Sequence, residues 1–195
     1  MPLVPFLLFV FVTSFTPGPN NIMAMSNANK YGFKRSLNFV FGVAIGMLVI
    51  MLFCGYFNLL LYSFIPKIKF VMSILGSLYM IYLSFKIMKK KKQNKGDDDE
   101  KLNSFLSGML LQFINFKVIL YGITAISLFI IPFYKSNISM ILFSVVLAFG
   151  GFAGTSCWAI FGSLFQKFLS KYEKPFNVVM GLMLIYSAIS ILFEG

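Results

Sequence analysis

The sequence predicts an all-α integral membrane protein whose six transmembrane helices form two inverted three-helix repeats, and three observations support this. The 195 residues are 58% hydrophobic and only 12% charged, which is typical of polytopic membrane proteins rather than soluble domains. Six apolar stretches each approach or exceed the roughly 20 residues that a helix needs to cross a bilayer. With three spans in each half, the second half enters the membrane from the opposite side, as in an inverted repeat.

The six spans follow the apolar stretches in chain order. They cover residues 2–26, 37–62, 68–88, 103–132, 138–165 and 176–193. The chain is therefore divided into a first three-helix repeat at 1–88, a charged cytoplasmic loop at 89–102 and a second three-helix repeat at 103–195. Within the loop a lysine-rich block, Lys89 to Lys92, precedes an acidic block, Asp97 to Glu100, as expected of a solvated connection.

Span one contains the segment Thr16-Pro17-Gly18-Pro19-Asn20-Asn21, which predicts a helix broken near the midplane. A proline lacks the backbone N–H and clashes with the carbonyl four residues back, at a cost of about 3 kcal/mol in an intact helix. We therefore expect two half-helices, with Thr16 as the N-cap of the second and the prolines in its first turn. The free N–H groups and positive dipole end of this second half-helix favour an anion. Transporters build substrate sites from such broken helices.

Span four is predicted to hold the partner of that break, at Gln112-Phe113-Ile114-Asn115-Phe116-Lys117, with Tyr121 one turn further on. A straight helix of this length would measure about 45 Å against a hydrocarbon core of about 30 Å, so we expect it to be tilted or interrupted. Lys117 lies near the middle, where a lysine costs about 2.5–3.5 kcal/mol and usually faces protein or a water-filled cavity. We expect it to face the site. The alternatives are that it snorkels to an interface or caps neighbouring carbonyl groups.

Glycines and basic residues predict the packing and the orientation. Gly42 and Gly46 in span two, and Gly150 and Gly154 in span five, occupy corresponding places, and small residues four apart let helix backbones approach closely. Thirteen Lys and Arg residues lie in the connections after spans one, three and five, against three on the opposite side. Because cytoplasmic loops carry the excess of basic residues, both termini should lie outside. Trp158 is predicted to be an interfacial anchor.

The predicted site suits a zwitterion. A positive helix end and Lys117 attract a carboxylate, while amide and carbonyl oxygens accept hydrogen bonds from an ammonium group. No Asp, Glu or His lies in the interior of a span, which disfavours a dication. Because burial disfavours the charged form of a lysine, we hypothesise that Lys117 holds the substrate while charged and releases a proton after the substrate leaves. The predicted substrate-binding residues are Thr16, Pro17, Gly18, Pro19, Asn20, Asn21, Gln112, Asn115, Lys117 and Tyr121.

The composition also limits the other classes of function. The net charge of +11 is explained by basic loops, so we expect no nucleic acid as a partner, and the absence of histidine argues against a metal site; no cofactor is expected. A cation channel would need interior carboxylates. Two alternatives remain: a thiol oxidoreductase using Cys54 and Cys157, and an enzyme with Lys117 as nucleophile, which would lack a neighbouring acid or base. The expected partners are a small amino-acid substrate and the lipid bilayer, and a homo-oligomer is left open.

Two motifs point to a known family. Thr16-Pro17-Gly18-Pro19-Asn20 resembles the signature of the lysine-exporter (LysE/RhtB) family of bacterial amino-acid exporters, and the segment Gln112 to Lys117 resembles its second motif. Phe116 stands where many members have proline, which predicts a milder break in span four. Tyr121 to Ala125 and Ser156 to Ala159 are similar to the subgroup that exports cysteine and O-acetylserine. The resemblance covers essentially the whole chain. It implies a non-enzymatic, secondary active exporter of small neutral amino acids in the bacterial cytoplasmic membrane, driven by proton antiport.

Overall fold

The computed structural model describes residues 1–88, 102–165 and 171–194, so the predicted charged loop lies outside the described residues except for Leu102. Within those ranges the chain forms eight α-helices and a short π-helical segment, and no strand. The helices are α1 Leu3–Phe15, α2 Pro19–Tyr31, α3 Phe33–Tyr56, α4 Asn58–Met88, α5 Phe105–Ile114, α6 Phe116–Ala125, α7 Asn137–Leu164 and α8 Glu173–Glu194, and the π-helical segment is Ile126–Ile130. The all-α prediction is confirmed for this part of the chain.

Two of the helices are each long and apolar enough to cross a membrane, namely α3 and α7, with mean hydropathies of 2.5 and 2.0. Two bent pairs also pass when each is taken as one span: α1 with α2, bent by 49°, and α5 with α6 and the π-helical segment, bent by 68°. Shorter apolar helices cover Ile74–Met88 and Lys174–Ile189. The described residues thus supply two to four spans by length and composition, and six spans in inverted repeats remain a prediction.

The first span is broken where the sequence predicts, but its cap differs. α1 ends at Phe15 with Thr16 as its C-cap, and α2 begins at Pro19 with Gly18 as its N-cap. The prediction that Thr16 is the N-cap is wrong, because its N–H and its hydroxyl both donate to the carbonyl oxygen of Val12 and close the first half-helix. Pro19 occupies the first turn of α2, where a missing N–H does no harm. Pro17 therefore lies between the half-helices rather than inside one.

The second break lies at Asn115 and is sharper than the first. The bend here is 68° against 49° in the first span. That Phe116 makes the break milder than a proline would stays a prediction. Asn115 leaves the helix with φ −86° and ψ 91°, and it is both the C-cap of α5 and the N-cap of α6. Its Nδ2 donates to Asn20 Oδ1 at 3.1 Å. A side-chain hydrogen bond to the other broken span thus holds the bend without a proline.

The connection between α3 and α4 also differs from the predicted spans 37–62 and 68–88. α3 ends at Tyr56 and α4 begins at Asn58, so the connection lies at Phe57 rather than at residues 63–67. The Asn58 side chain exchanges hydrogen bonds of 3.0 and 3.2 Å with the Ser127 hydroxyl in the π-helical segment. These bonds fix the start of α4 against the end of the second broken span. From there α4 runs along α8.

Glycines bring the long helices against the broken spans at close range. An ideal Cβ on Gly42 of α3 would lie 2.0 Å from the carbonyl oxygen of Phe105 in α5, and one on Gly154 of α7 would lie 2.4 Å from the carbonyl oxygen of Ser14 in α1. For the remaining glycine of each pair, Gly46 and Gly150, the nearest atoms would lie 2.7 and 2.6 Å away. A side chain at these positions would push the helices apart, so each broken span is held by a glycine face of a long helix.

Candidate functional site

The C-terminal end of α1 presents carbonyl groups that have no helix partner, and side chains from other helices bond to them. Asn21 Nδ2 donates to the carbonyl oxygens of Ser14 and Thr16 at 2.9 and 3.0 Å. Trp158 Nε1, from α7, donates to the Phe15 carbonyl at 3.0 Å. The prediction that Trp158 is an interfacial anchor stays a prediction. Its indole N–H satisfies a carbonyl group of the broken backbone, which a membrane span requires.

Lys117 lies where the two breaks meet. Its Nζ donates to the Thr16 carbonyl at 3.0 Å and lies 3.2 Å from the position that a Cβ on Gly18 would take. Lys117 therefore caps a carbonyl group, which was one of the alternatives that the sequence left open. An ammonium group has three donors, and Thr16 is its one hydrogen-bond partner among the described residues. Because Gly18 is the N-cap of α2, the ammonium also stands beside the positive end of that helix. Two positive features thus converge on one point.

Three amide side chains link the breaks through a buried network. Asn20 Nδ2 donates to Gln112 Oε1 at 2.8 Å, and Asn20 Oδ1 accepts from Gln112 Nε2 and from Asn115 Nδ2, both at 3.1 Å. Gln112 Nε2 also donates to the Gly108 carbonyl at 2.7 Å. All three amide residues are buried. The network ties α2 to α5 and α6, and it orients the side chains that face the neighbouring cavities.

Two cavities adjoin Lys117, and we call them the wide and the narrow cavity. The wide cavity has a volume of about 440 Å³, which falls in the range of small-molecule sites. The narrow cavity has a volume of about 30 Å³, enough for a water molecule or a small polar group. The predicted residues that line the wide cavity are Thr16, Pro17, Gly18, Pro19, Lys117 and Tyr121. Those that line the narrow cavity are Gly18, Pro19, Asn20, Asn21, Asn115, Lys117 and Tyr121.

Gln112 is the one predicted residue that lines neither cavity. It lies behind Asn20 and positions it. The structure also adds residues that the motifs missed. Thr155 lines the narrow cavity and donates to Asn21 Oδ1 at 3.2 Å, and Trp158 braces the break. Spacing could have found both, because Trp158 follows Gly154 by four residues and Thr155 follows Gly151 by four, which places them on the glycine face of α7.

The described residues contain no group of three or more His, Cys, Asp or Glu side chains placed to hold a metal ion. Cys54 is buried, with its sulfur against Gly122, and Cys157 is exposed on α7. Both thiols are free.

Comparison with known proteins agrees with the motifs. The family model described as LysE type translocator matches residues 11–195. The chain belongs to the LysE family. Its relatives include the cysteine/O-acetylserine efflux proteins of Escherichia coli strain K12, Escherichia coli O6:H1 strain CFT073 and Shigella flexneri serotype 5b strain 8401. Each is 36% identical over 188 residues, which is 96% of this chain and 96% of the relative. No solved structure was found to match. As a LysE translocator with apolar spans, the protein is a membrane transporter, and the enzyme alternatives are not favoured.

Proposed function

We propose that this LysE protein exports small neutral amino acids such as cysteine or O-acetylserine from the cytoplasm by proton antiport. The observation that carries the proposal is the meeting of the Lys117 ammonium with the N-terminus of α2 beside the wide cavity. Both features attract an anion, and in a protein interior such hydrogen bonds are stronger than in water. The carboxylate of an amino acid is the anion that best fits a translocator of this family.

The charge inventory supports a neutral amino acid. A cationic amino acid carries a second positive group. This group would meet Lys117 and the positive helix end without a carboxylate partner, because no Asp, Glu or His lies in the interior of a predicted span. The names of the relatives, cysteine/O-acetylserine efflux proteins, describe substrates of this neutral class. We therefore infer that lysine and other cationic amino acids are poor substrates.

The proposed coupling uses the hydrogen bond that Lys117 makes now. In the substrate-bound state the ammonium exchanges the Thr16 carbonyl for the substrate carboxylate, and it stays charged. After the carboxylate leaves, the partly buried ammonium has only a neutral carbonyl for a partner, which favours loss of its proton.

The proposed transmembrane arrangement is six spans in two inverted repeats, 1–88 and 103–195, with both termini outside. The glycine contacts support it, because α3 packs against α5 of the other half just as α7 packs against α1. The third and sixth spans, which contain α4 and α8, also pack against each other. The excess of basic residues in the connections after spans one, three and five supports the orientation.

Transport by purified protein in proteoliposomes tests the proposal. Wild-type protein should exchange labelled cysteine or O-acetylserine and should concentrate them when a pH gradient is imposed. Lys117→Met should abolish both activities while inserting normally, and Lys135→Met, an exposed lysine outside the site, is the matched control. Lys117→Arg keeps a cation that does not lose its proton, so it should retain exchange but lose accumulation driven by the gradient. Wild-type export by Lys117→Met, or preferred exchange of lysine, would refute the proposal.

A further inference from the structure

Two hydroxyl groups on the wall of the narrow cavity donate their hydrogens to partners within the protein. Thr155 donates to Asn21 Oδ1 at 3.2 Å, and Tyr121 donates to the Leu147 carbonyl at 3.2 Å. A hydroxyl group has a single hydrogen, so each oxygen is left with lone pairs only. Thr155 and Tyr121 can therefore accept further hydrogen bonds but cannot donate them.

A third acceptor is the Oδ1 of Asn115, and its orientation follows from one backbone group. The Gly108 carbonyl can only accept, so the Gln112 amide turns its Nε2 toward it. Gln112 Oε1 then faces Asn20 Nδ2, and Asn20 Oδ1 is left to accept from Asn115 Nδ2. The remaining atom, Asn115 Oδ1, is buried and has no hydrogen-bond partner among the described residues, and Asn115 itself is only 4% exposed.

Asn115 lines the narrow cavity, which is the larger of two cavities beside it. Asn115 also lines a third cavity, between α4 and α5, but its volume of about 10 Å³ is at or below the space that one water molecule needs. The narrow cavity offers about 30 Å³. A buried acceptor without a partner is costly, so a group that donates hydrogen bonds would be stabilised beside Asn115.

We propose that the narrow cavity is the subsite for the α-ammonium group of the transported amino acid, with Asn115 Oδ1, Thr155 Oγ1 and the Tyr121 hydroxyl as acceptors. This inference rests on the proposed function. The carboxylate, carried on the same carbon, lies at Lys117, which lines both cavities, and the substrate side chain extends into the wide cavity. A simple amine is rejected because it brings no carboxylate to offset Lys117. The site therefore selects zwitterions because it binds both the carboxylate and the ammonium group.

Competition with truncated analogues tests the subsite. In proteoliposomes exchanging labelled cysteine, unlabelled cysteine is compared with 3-mercaptopropionate, which lacks the ammonium group, and with cysteamine, which lacks the carboxylate. In the wild type both analogues should compete at least tenfold more weakly than cysteine, since each loses charge-assisted hydrogen bonds. Asn115→Leu should weaken competition by cysteine about tenfold and leave competition by 3-mercaptopropionate unchanged. The advantage of cysteine over 3-mercaptopropionate as a competitor should then fall toward one. Asn58→Leu removes another buried asparagine, bonded to Ser127 far along the chain, and should leave this advantage unchanged.

Thr155→Val provides a second variant in case Asn115→Leu does not fold, with Ser77→Ala as the control for a lost buried hydroxyl. Thr155→Val should lower the advantage of cysteine over 3-mercaptopropionate as a competitor several-fold. The subsite proposal would be overturned if the variants weakened competition by both compounds equally. It would also be overturned if exchange required sodium in the wild type but not in Asn115→Leu, because the cavity would then hold a metal ion. If the wild type exchanges no neutral amino acid at all, the proposed function itself fails, which is a different result from exchange with an unchanged advantage of cysteine.

Discussion

Replacing Gly18 with alanine should weaken substrate binding without unfolding the protein. The new Cβ would lie 3.2 Å from Lys117 Nζ and 3.3 Å from its Cδ, whereas ordinary contact begins at 3.4 Å, so the lysine must retreat by about 0.2 Å. Gly18 has φ −168° and ψ 176°, an extended backbone that alanine adopts. We expect only the cost of a poorer N-cap, about 0.5–1 kcal/mol of stability.

Gly18→Ala should also lower the affinity for the substrate. The methyl group fills the space between the ammonium and the start of α2, where the carboxylate is expected to bind. Losing about half of one charge-assisted hydrogen bond, which contributes about 1.5–3 kcal/mol, corresponds to roughly 1 kcal/mol and a fivefold weaker affinity. Trp158 is the single tryptophan of the chain and bonds to the Phe15 carbonyl beside the site, so its fluorescence provides a direct titration of binding.

Gly154→Ala is the matched control for this prediction. Its Cβ would lie 2.4 Å from the Ser14 carbonyl oxygen, a backbone atom that cannot step aside, so we expect a loss of about 3 kcal/mol in stability. Thermal melting in detergent separates the two variants. The reasoning would be refuted if Gly18→Ala bound substrate like the wild type, or if it melted as early as Gly154→Ala.

Three further predictions concern the surroundings of the site. Trp158→Phe removes the donor to a carbonyl of α1 and should lower the melting temperature and cut exchange several-fold, while an unchanged rate would exclude any bracing role. Gly42→Ala places a Cβ 2.0 Å from a carbonyl oxygen of α5 and should reduce the yield of folded protein as strongly as Gly154→Ala, as measured by size-exclusion profiles. Cys54→Ser together with Cys157→Ser should retain exchange of O-acetylserine, and loss of activity in a well-folded double variant would revive the thiol mechanism.

The sequence predicted the first break well because proline and glycine act locally. Pro17 and Pro19 exclude an intact helix whatever surrounds them, so the position of the break needed no tertiary information. The cap was predicted wrongly for the opposite reason. Thr16 is a good N-cap by type, but its hydroxyl reaches back to Val12, and Gly18 takes the cap position against Lys117. The choice between the two roles depends on contacts from the second half of the chain.

The second break shows the limit of motif reading more clearly. Phe116 supplies no backbone reason for a bend, and the 68° angle depends on Asn115 bonding to Asn20, a residue 95 positions away. Likewise, the sequence predicted a connection at residues 63–67, whereas the chain turns at Phe57. Long-range hydrogen bonds and helix packing decide these features, and a single sequence records them only indirectly.

The donors that satisfy the end of α1 have a consequence for biosynthesis. The Phe15 carbonyl is met by Trp158, which the ribosome adds 143 residues later. The Thr16 carbonyl is met by nearby Asn21 and also by Lys117, which follows 101 residues later. When the opening hydrophobic segment leaves the insertion machinery, it therefore carries backbone groups that bare lipid does not satisfy. The nascent first half is not a finished membrane unit, and its maturation must wait for the second half to be made and docked.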